Sequence, residues 1–137
     1  MDNCVFCKII AKEIPSYTLY EDDSVIAFFD INPANLGHTL VVPKQHAANI
    51  FEISEGDLAK VNIVAKKLCL AYQKILWVEH INILQSNGSA AGQDVFHYHM
   101  HIIPRHQDDQ VTFTYISQED AKSHFVDLQK QVIENLK

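Results

Sequence analysis

Glycine and proline are scarce, four of each in 137 residues, and nowhere do they gather with serine into a linker. That excludes a low-complexity chain and leaves no obvious break between domains. Long apolar runs are missing too. No stretch approaches the roughly 18 consecutive apolar residues of a membrane-spanning helix, and Met1-Asp2-Asn3-Cys4 lacks the basic and apolar segments of a secretion signal. A cytoplasmic protein with no membrane partner is expected. Clusters of Lys and Arg are absent as well, and the net charge is −6 with a pI near 5.7. Nucleic acid is therefore not an expected partner, although a small phosphorylated ligand needs only local donors. Three cysteines, an odd number, point to thiols or metal ligands rather than a disulfide framework.

What is present suffices for one core. A chain with 47% hydrophobic and 20% charged residues is expected to form a single domain over residues 1–137. Val5, Phe6, Ile9 and Ile10 have helical spacing, and Ile14-Pro15 then breaks the helix. Ser16 to Glu21 and Val25 to Phe29 read as strands joined by the turn Asp22-Asp23-Ser24. His38 to Pro43, rich in β-branched residues, reads as a third. Behind Ser54 as N-cap, Leu58, Val61, Ala65, Leu68, Tyr72 and Ile75 make one apolar stripe, predicting a helix of about five to six turns. Cys69 beside that stripe reads as a small buried thiol. Ile81 to Gln85 and Phe96 to Ile103 supply two more strands, and Ala121, Phe125, Leu128, Val132 and Leu136 repeat a helical face after Ser117. An α+β domain follows.

The chemistry concentrates in His97-Tyr98-His99-Met100-His101. A spacing of two is the period of a β-strand, so three imidazoles are expected on one face, roughly 6.6 Å apart. Crowding depresses their protonation and leaves neutral, nucleophilic rings at neutral pH. The preceding loop, Asn87 to Asp94, can aim backbone N–H groups at an anion. Cys4-Val5-Phe6-Cys7 has the spacing of a zinc chelate, with two further ligands to come from among His38, His46, His80 and His97. Asp30 suits either a ribose hydroxyl or a turn. A lone His38 reads first as structural.

These residues carry a resemblance. His97-Tyr98-His99-Met100-His101-Ile102-Ile103 resembles the His-φ-His-φ-His-φ-φ signature of the histidine triad (HIT) nucleotide-binding family. Ala27-Phe28-Phe29-Asp30-Ile31-Asn32-Pro33, Gly37-His38-Thr39-Leu40-Val41-Val42-Pro43-Lys44 and Gly92-Gln93 are similar to its Hint branch, in order, within a core of about residues 3–106. The resemblance implies a HIT-like antiparallel sheet with a long central helix, a short N-terminal helix and an added C-terminal helix in residues 107–137. It implies His99 as nucleophile on the α-phosphorus of a purine nucleoside 5′-phosphoramidate (AMP- or GMP-like), with His101 at the phosphate and leaving group and His38 orienting them. Asn87 and Gly92 would bind phosphate, Asp30 the ribose, and Phe6, Ile9, Ile14, Phe28 and Ile31 the base. It further implies a structural zinc on Cys4, Cys7, His46 and His97, no catalytic metal, and a homodimer. Asp94 departs from the Ser or Thr common at its position, and the C-terminal stretch departs from the short Hint tail. Competing readings are a dinucleoside polyphosphate hydrolase of the Fhit type, a nucleotide-binding adaptor, and a metallohydrolase with the triad as ligands.

Overall fold

Val25-Ile26-Ala27-Phe28-Phe29 shows no polar alternation, and a strand apolar on every residue is stable only with cover on both faces. The computed structural model, which describes residues 3–136, supplies both covers. Five strands, β1 (Thr18–Glu21), β2 (Val25–Phe29), β3 (Thr39–Pro43), β4 (His80–Leu84) and β5 (Met100–Arg105), form one antiparallel sheet in the order β1-β2-β3-β5-β4. Helix α1 (Val5–Ile10) covers one face and α2 (Glu55–Ile75) the other. The α+β class and the long central helix are as expected.

Side-chain alternation divides the central strands between the two layers. Val25, Ala27, Val41, Met100 and Ile102 pack under α2 with Val61, Val64, Ala65 and Tyr72. Ile26, Phe28, Leu40 and Val42 face α1, where Phe6 and Ile9 meet them. Each such buried side chain contributes about 1.5–3 kcal/mol by leaving water. Cross-strand register pairs Phe28 with Leu40 and Leu40 with His101. His101 is thereby placed on the α1 face.

Ser54 caps α2 as expected, its hydroxyl accepting from the Asp57 amide at 3.1 Å. The apolar stripe ends differently. Ile75 is 66% exposed, because Leu76 takes the packing position at the end of the helix. The strand carrying the triad also begins later than expected. Its ladder starts at Met100, opposite Val41, so His97 and His99 precede β5 rather than lie in it. Pro43 has no N–H with which to extend the ladder, and Tyr98 donates instead to the Ala47 carbonyl at 2.7 Å.

Beyond β5 the chain is tied down before it leaves the sheet. Arg105 holds Asp109 in a fork, Nε to Oδ2 at 2.7 Å and Nη2 to Oδ1 at 2.9 Å. Asn35 joins from the loop before β3, at 2.8 Å. The expected C-terminal helix starts at Phe125, not just after Ser117; a 3₁₀ segment occupies Glu119–His124 and α3 runs Phe125–Asn135. Its apolar residues Phe125, Leu128, Val132 and Leu136 are 47–78% exposed. No helix among the described residues is long and apolar enough to cross a membrane.

The Asp109 clamp makes acid stability specific. The Arg105 guanidinium, then the amide of His106, the Asn35 side chain and the amide of Val111, hold the Asp109 carboxyl far below its ordinary 3.8. A depressed carboxylate stabilises the fold above the unfolded-state pKa and loses that contribution as pH falls below it. Asp109→Asn is expected to lower the thermal midpoint by several degrees at pH 7 and to flatten the loss of stability below about pH 4, as read by circular dichroism melts.

Candidate active site

The α1 face of the sheet ends in a cavity of about 260 Å³. Phe6, Ile9, Ile14, Phe28 and Ile31 line its apolar part, and Asp30, Asp94, His99 and His101 its polar part. Helix α1 brings Phe6 edge-on to His99, with ring centroids 5.1 Å apart, and to Phe28 at 5.5 Å. His38 does not line this cavity; it is buried behind His101. Asn87 and Gly92 do not line it either. The Asn87 side chain holds the Ile50 amide at 2.7 Å and bonds to Gln85, while Gly92, at φ +95°, closes a single 3₁₀ turn over Ser89–Ala91.

Hydrogen bonds set the tautomer of each ring. His99 Nδ1 lies 2.8 Å from the His97 carbonyl, an acceptor only, so Nδ1 carries the proton and Nε2 keeps its lone pair. His38 Nδ1 accepts from the Ala34 amide at 2.9 Å, so its proton is on Nε2. That proton is donated to His101 Nδ1, 2.9 Å away. His101 consequently presents an N–H at Nε2. Burial, and then the neighbouring rings of His99 and His38, lower the His101 pKa to about 4, with Asp30 and Asp94 opposing. At neutral pH it is a neutral hydrogen-bond donor. Burial likewise lowers His38, against the pull of Asp30.

His97 does not line this cavity. Its Nδ1 lies 3.3 Å from Cys4 Sγ, 3.5 Å from Cys7 Sγ and 3.1 Å from His46 Nδ1, and Cys7 Sγ is 3.4 Å from His46 Nδ1. Zinc bonds of about 2.0–2.3 Å to nitrogen and sulfur imply tetrahedral edges of about 3.3–3.8 Å. The four donors therefore fit a metal ion. His97 Nε2 donates to the Pro43 carbonyl at 2.8 Å, which fixes the ligand tautomer. Without a cation the cluster is costly: burial lowers His97 to about 4, and burial with the Cys4 hydrogen bond raises Cys7 to about 11. Of the four histidines open at the sequence level, His46 and His97 join the cysteines, whereas His38 and His80 lie elsewhere. A second cluster, Asp30, His38 and His101, is also close enough to chelate. There the Ala34 amide occupies His38 Nδ1, so metal at Nε2 would require an imidazolate. That donor set does not suit a cation.

Several supports had no legible signal in the sequence. Ala34 acts through an N–H that any residue but proline supplies, and Pro43 through a carbonyl that every residue supplies. Gln93 is legible in the sequence only within the Gly92-Gln93 pair. Its side chain accepts from the Gly88 amide at 2.8 Å and donates to the Ala48 and Val95 carbonyls at 2.6 and 3.0 Å, bracing the loop that leads into the triad. Asp94 follows it, its Oδ1 4.0 Å from His99 Nε2.

Comparison with known proteins gives a consistent pattern. The model of the HIT domain family matches residues 11–108. An adenosine 5′-monophosphoramidase of Saccharomyces cerevisiae is 41% identical over 105 residues, 77% of this chain and 64% of that protein. The crystal structure of a HIT family protein from Bacillus anthracis superposes with a TM-score of 0.92 at 34% identity, covering 99% of both chains. A zinc-bound histidine triad protein from Mycobacterium smegmatis superposes at 0.77 with 28% identity, again over 99% of both.

Proposed function

Because this chain belongs to the HIT domain family, we propose that it is a hydrolase of purine nucleoside 5′-phosphoramidates acting through a nucleotidyl-histidine on His99. The observation that carries this reading is the bare Nε2 of His99. The His97 carbonyl holds the other ring nitrogen at 2.8 Å, so the lone pair faces a cavity whose remaining walls suit a nucleoside. A yeast relative acts on an adenosine 5′-phosphoramidate by its name.

The steps follow from the tautomers. His99 Nε2 bonds to phosphorus as the P–N bond breaks; the pair in that bond leaves with the amine, which takes a proton from solvent. His101, neutral, donates its Nε2–H to the phosphoryl oxygen or the departing nitrogen without giving the proton up. Water then attacks phosphorus and returns His99 to its starting tautomer, releasing a nucleoside monophosphate and an ammonium. His38 keeps His101 in the donor form. The base lies between Phe6, Ile9, Ile14, Phe28 and Ile31, and Asp30 accepts from the ribose. Asn87 and Gly92, on the loop before the triad, are assigned to the phosphate in this proposal.

Zinc on Cys4, Cys7, His46 and His97 is the structural part of this reading. The donor chemistry fits, and a zinc-bound relative of the same fold is known. Bound zinc supplies cross-linking between α1 and the segment before β5; the reaction needs no catalytic metal. The chain also forms a homodimer in this proposal. Its support is the apolar face of α3, the exposed Ile63 and Leu70 of α2, and β4, an edge strand with Ile83 exposed.

His99→Ala is expected to reduce turnover of adenosine 5′-phosphoramidate by roughly a thousandfold or more while AMP still binds. Mass spectrometry of quenched wild-type protein should show the nucleotidyl adduct on His99; full activity in the variant would remove His99 from this role. Elemental analysis is expected to give about one zinc per chain, lost in Cys4→Ser/Cys7→Ser together with a fall in thermal midpoint. Sedimentation velocity should give twice the 15.6 kDa chain mass, and truncation after residue 112 should weaken that association; a monomeric wild type would end the dimer reading.

A further inference from the structure

The charge of the site is unusual for one that handles a phosphate. Two carboxylates, Asp30 and Asp94, line the cavity, and among the described residues no lysine or arginine does. His101, the group poised to meet the phosphate, is neutral. Asp94 is 86% exposed at its side chain and stands 4.0 Å from the nucleophilic nitrogen. Its field extends further than that contact, since it opposes the lowering of the His101 pKa.

Phosphorus must come within about 3–3.5 Å of His99 Nε2 before attack, and the leaving atom lies one bond beyond it. With Asp94 4.0 Å from Nε2, any leaving atom sits within roughly 9 Å of the Asp94 carboxylate. That is inside, or close to, one Debye length at ordinary salt. A charge on that leaving group is therefore felt by Asp94 when its short flexible chain folds back to a comparable distance, and among the described residues no lysine or arginine lines the cavity to cancel it.

We propose that Asp94 makes this site select its substrate by leaving-group charge, favouring amines that carry a second, protonated nitrogen and rejecting anionic leaving groups. The inference rests on the hydrolase reading above and specifies its substrate class. A phosphoramidate of a diamine brings one negative charge on phosphate and one positive charge on the distal ammonium. One of a simple alkylamine brings only the negative charge. Adenylylsulfate brings two, the second on the group that departs. Asp30 contributes to the same field from beside His101, but its Oδ1 already accepts from the Asn32 amide at 2.8 Å and its Oδ2 faces His38 at 3.5 Å. Asp94 is the carboxylate free to respond.

The test compares kcat/KM for AMP joined to 1,3-diaminopropane, AMP joined to n-butylamine, and adenylylsulfate. In the wild type the diamine adduct is expected to exceed the butylamine adduct by roughly tenfold at low salt, the preference shrinking as salt rises. Asp94→Asn should bring that ratio to within about twofold of unity and raise adenylylsulfate relative to the butylamine adduct by roughly tenfold, whereas Asp94→Glu should retain the wild-type ratios. Ratios within one variant are insensitive to general damage, and the exposed position leaves the fold intact. Equal rates for both amine adducts in the wild type, or an unchanged ratio in Asp94→Asn, would overturn charge selection by Asp94. Absence of turnover with all three in the wild type would instead overturn the hydrolase reading beneath it.

Discussion

One hydrogen bond organises the reactive end of this protein: His99 Nδ1–H donating to the His97 carbonyl, at 2.8 Å. It fixes which nitrogen is nucleophilic, and it is only as rigid as the peptide that offers the carbonyl. His97 is fully buried, with one ring nitrogen on Pro43 and the other among Cys4, Cys7 and His46. Whatever holds that cluster together thus holds the nucleophile's acceptor. His97 and His99, two residues apart and both edge-on to Phe6, thus serve the cluster and the cavity side by side.

The second chain of bonds, from the Ala34 amide through His38 to His101, runs in from the opposite side. Both chains begin at backbone groups, which cannot titrate. Two imidazoles are therefore presented in opposite roles, His99 with its N–H turned to the backbone and His101 with its N–H turned to the cavity. The sheet makes this possible by pairing Leu40 with His101 and Thr39 with Ile102, so that β3 and the loop before it reach directly behind β5. Gly37, at φ +91°, is part of that approach: a side chain there would meet Pro104 at 3.0 Å and Leu76 at 3.1 Å.

Much of the fold was legible because periodicity survives folding. The stripe of α2, its Ser54 cap and the apolar runs of β2 and β3 are local signals that tertiary contacts reinforced. Boundaries were less legible. The triad strand begins only at Met100 because Pro43, on another strand, cannot donate, and Ile75 is exposed because Leu76 fills the end of the helix. Neither reason is visible within a window around the residue concerned.

The sequence by itself determined the chemical inventory: three alternating histidines, a Cys-x-x-Cys pair, an acid after two phenylalanines, and a resemblance specific enough to rank them. Residue type and spacing carry that information. Only the tertiary structure decided which histidines join the cysteines, which nitrogen of each ring holds the proton, and that Asp94 faces the nucleophile with no lysine or arginine of the described residues along the cavity wall. Those properties belong to groups brought together from distant parts of the chain, and several of the partners are backbone amides and carbonyls that carry no sequence signature.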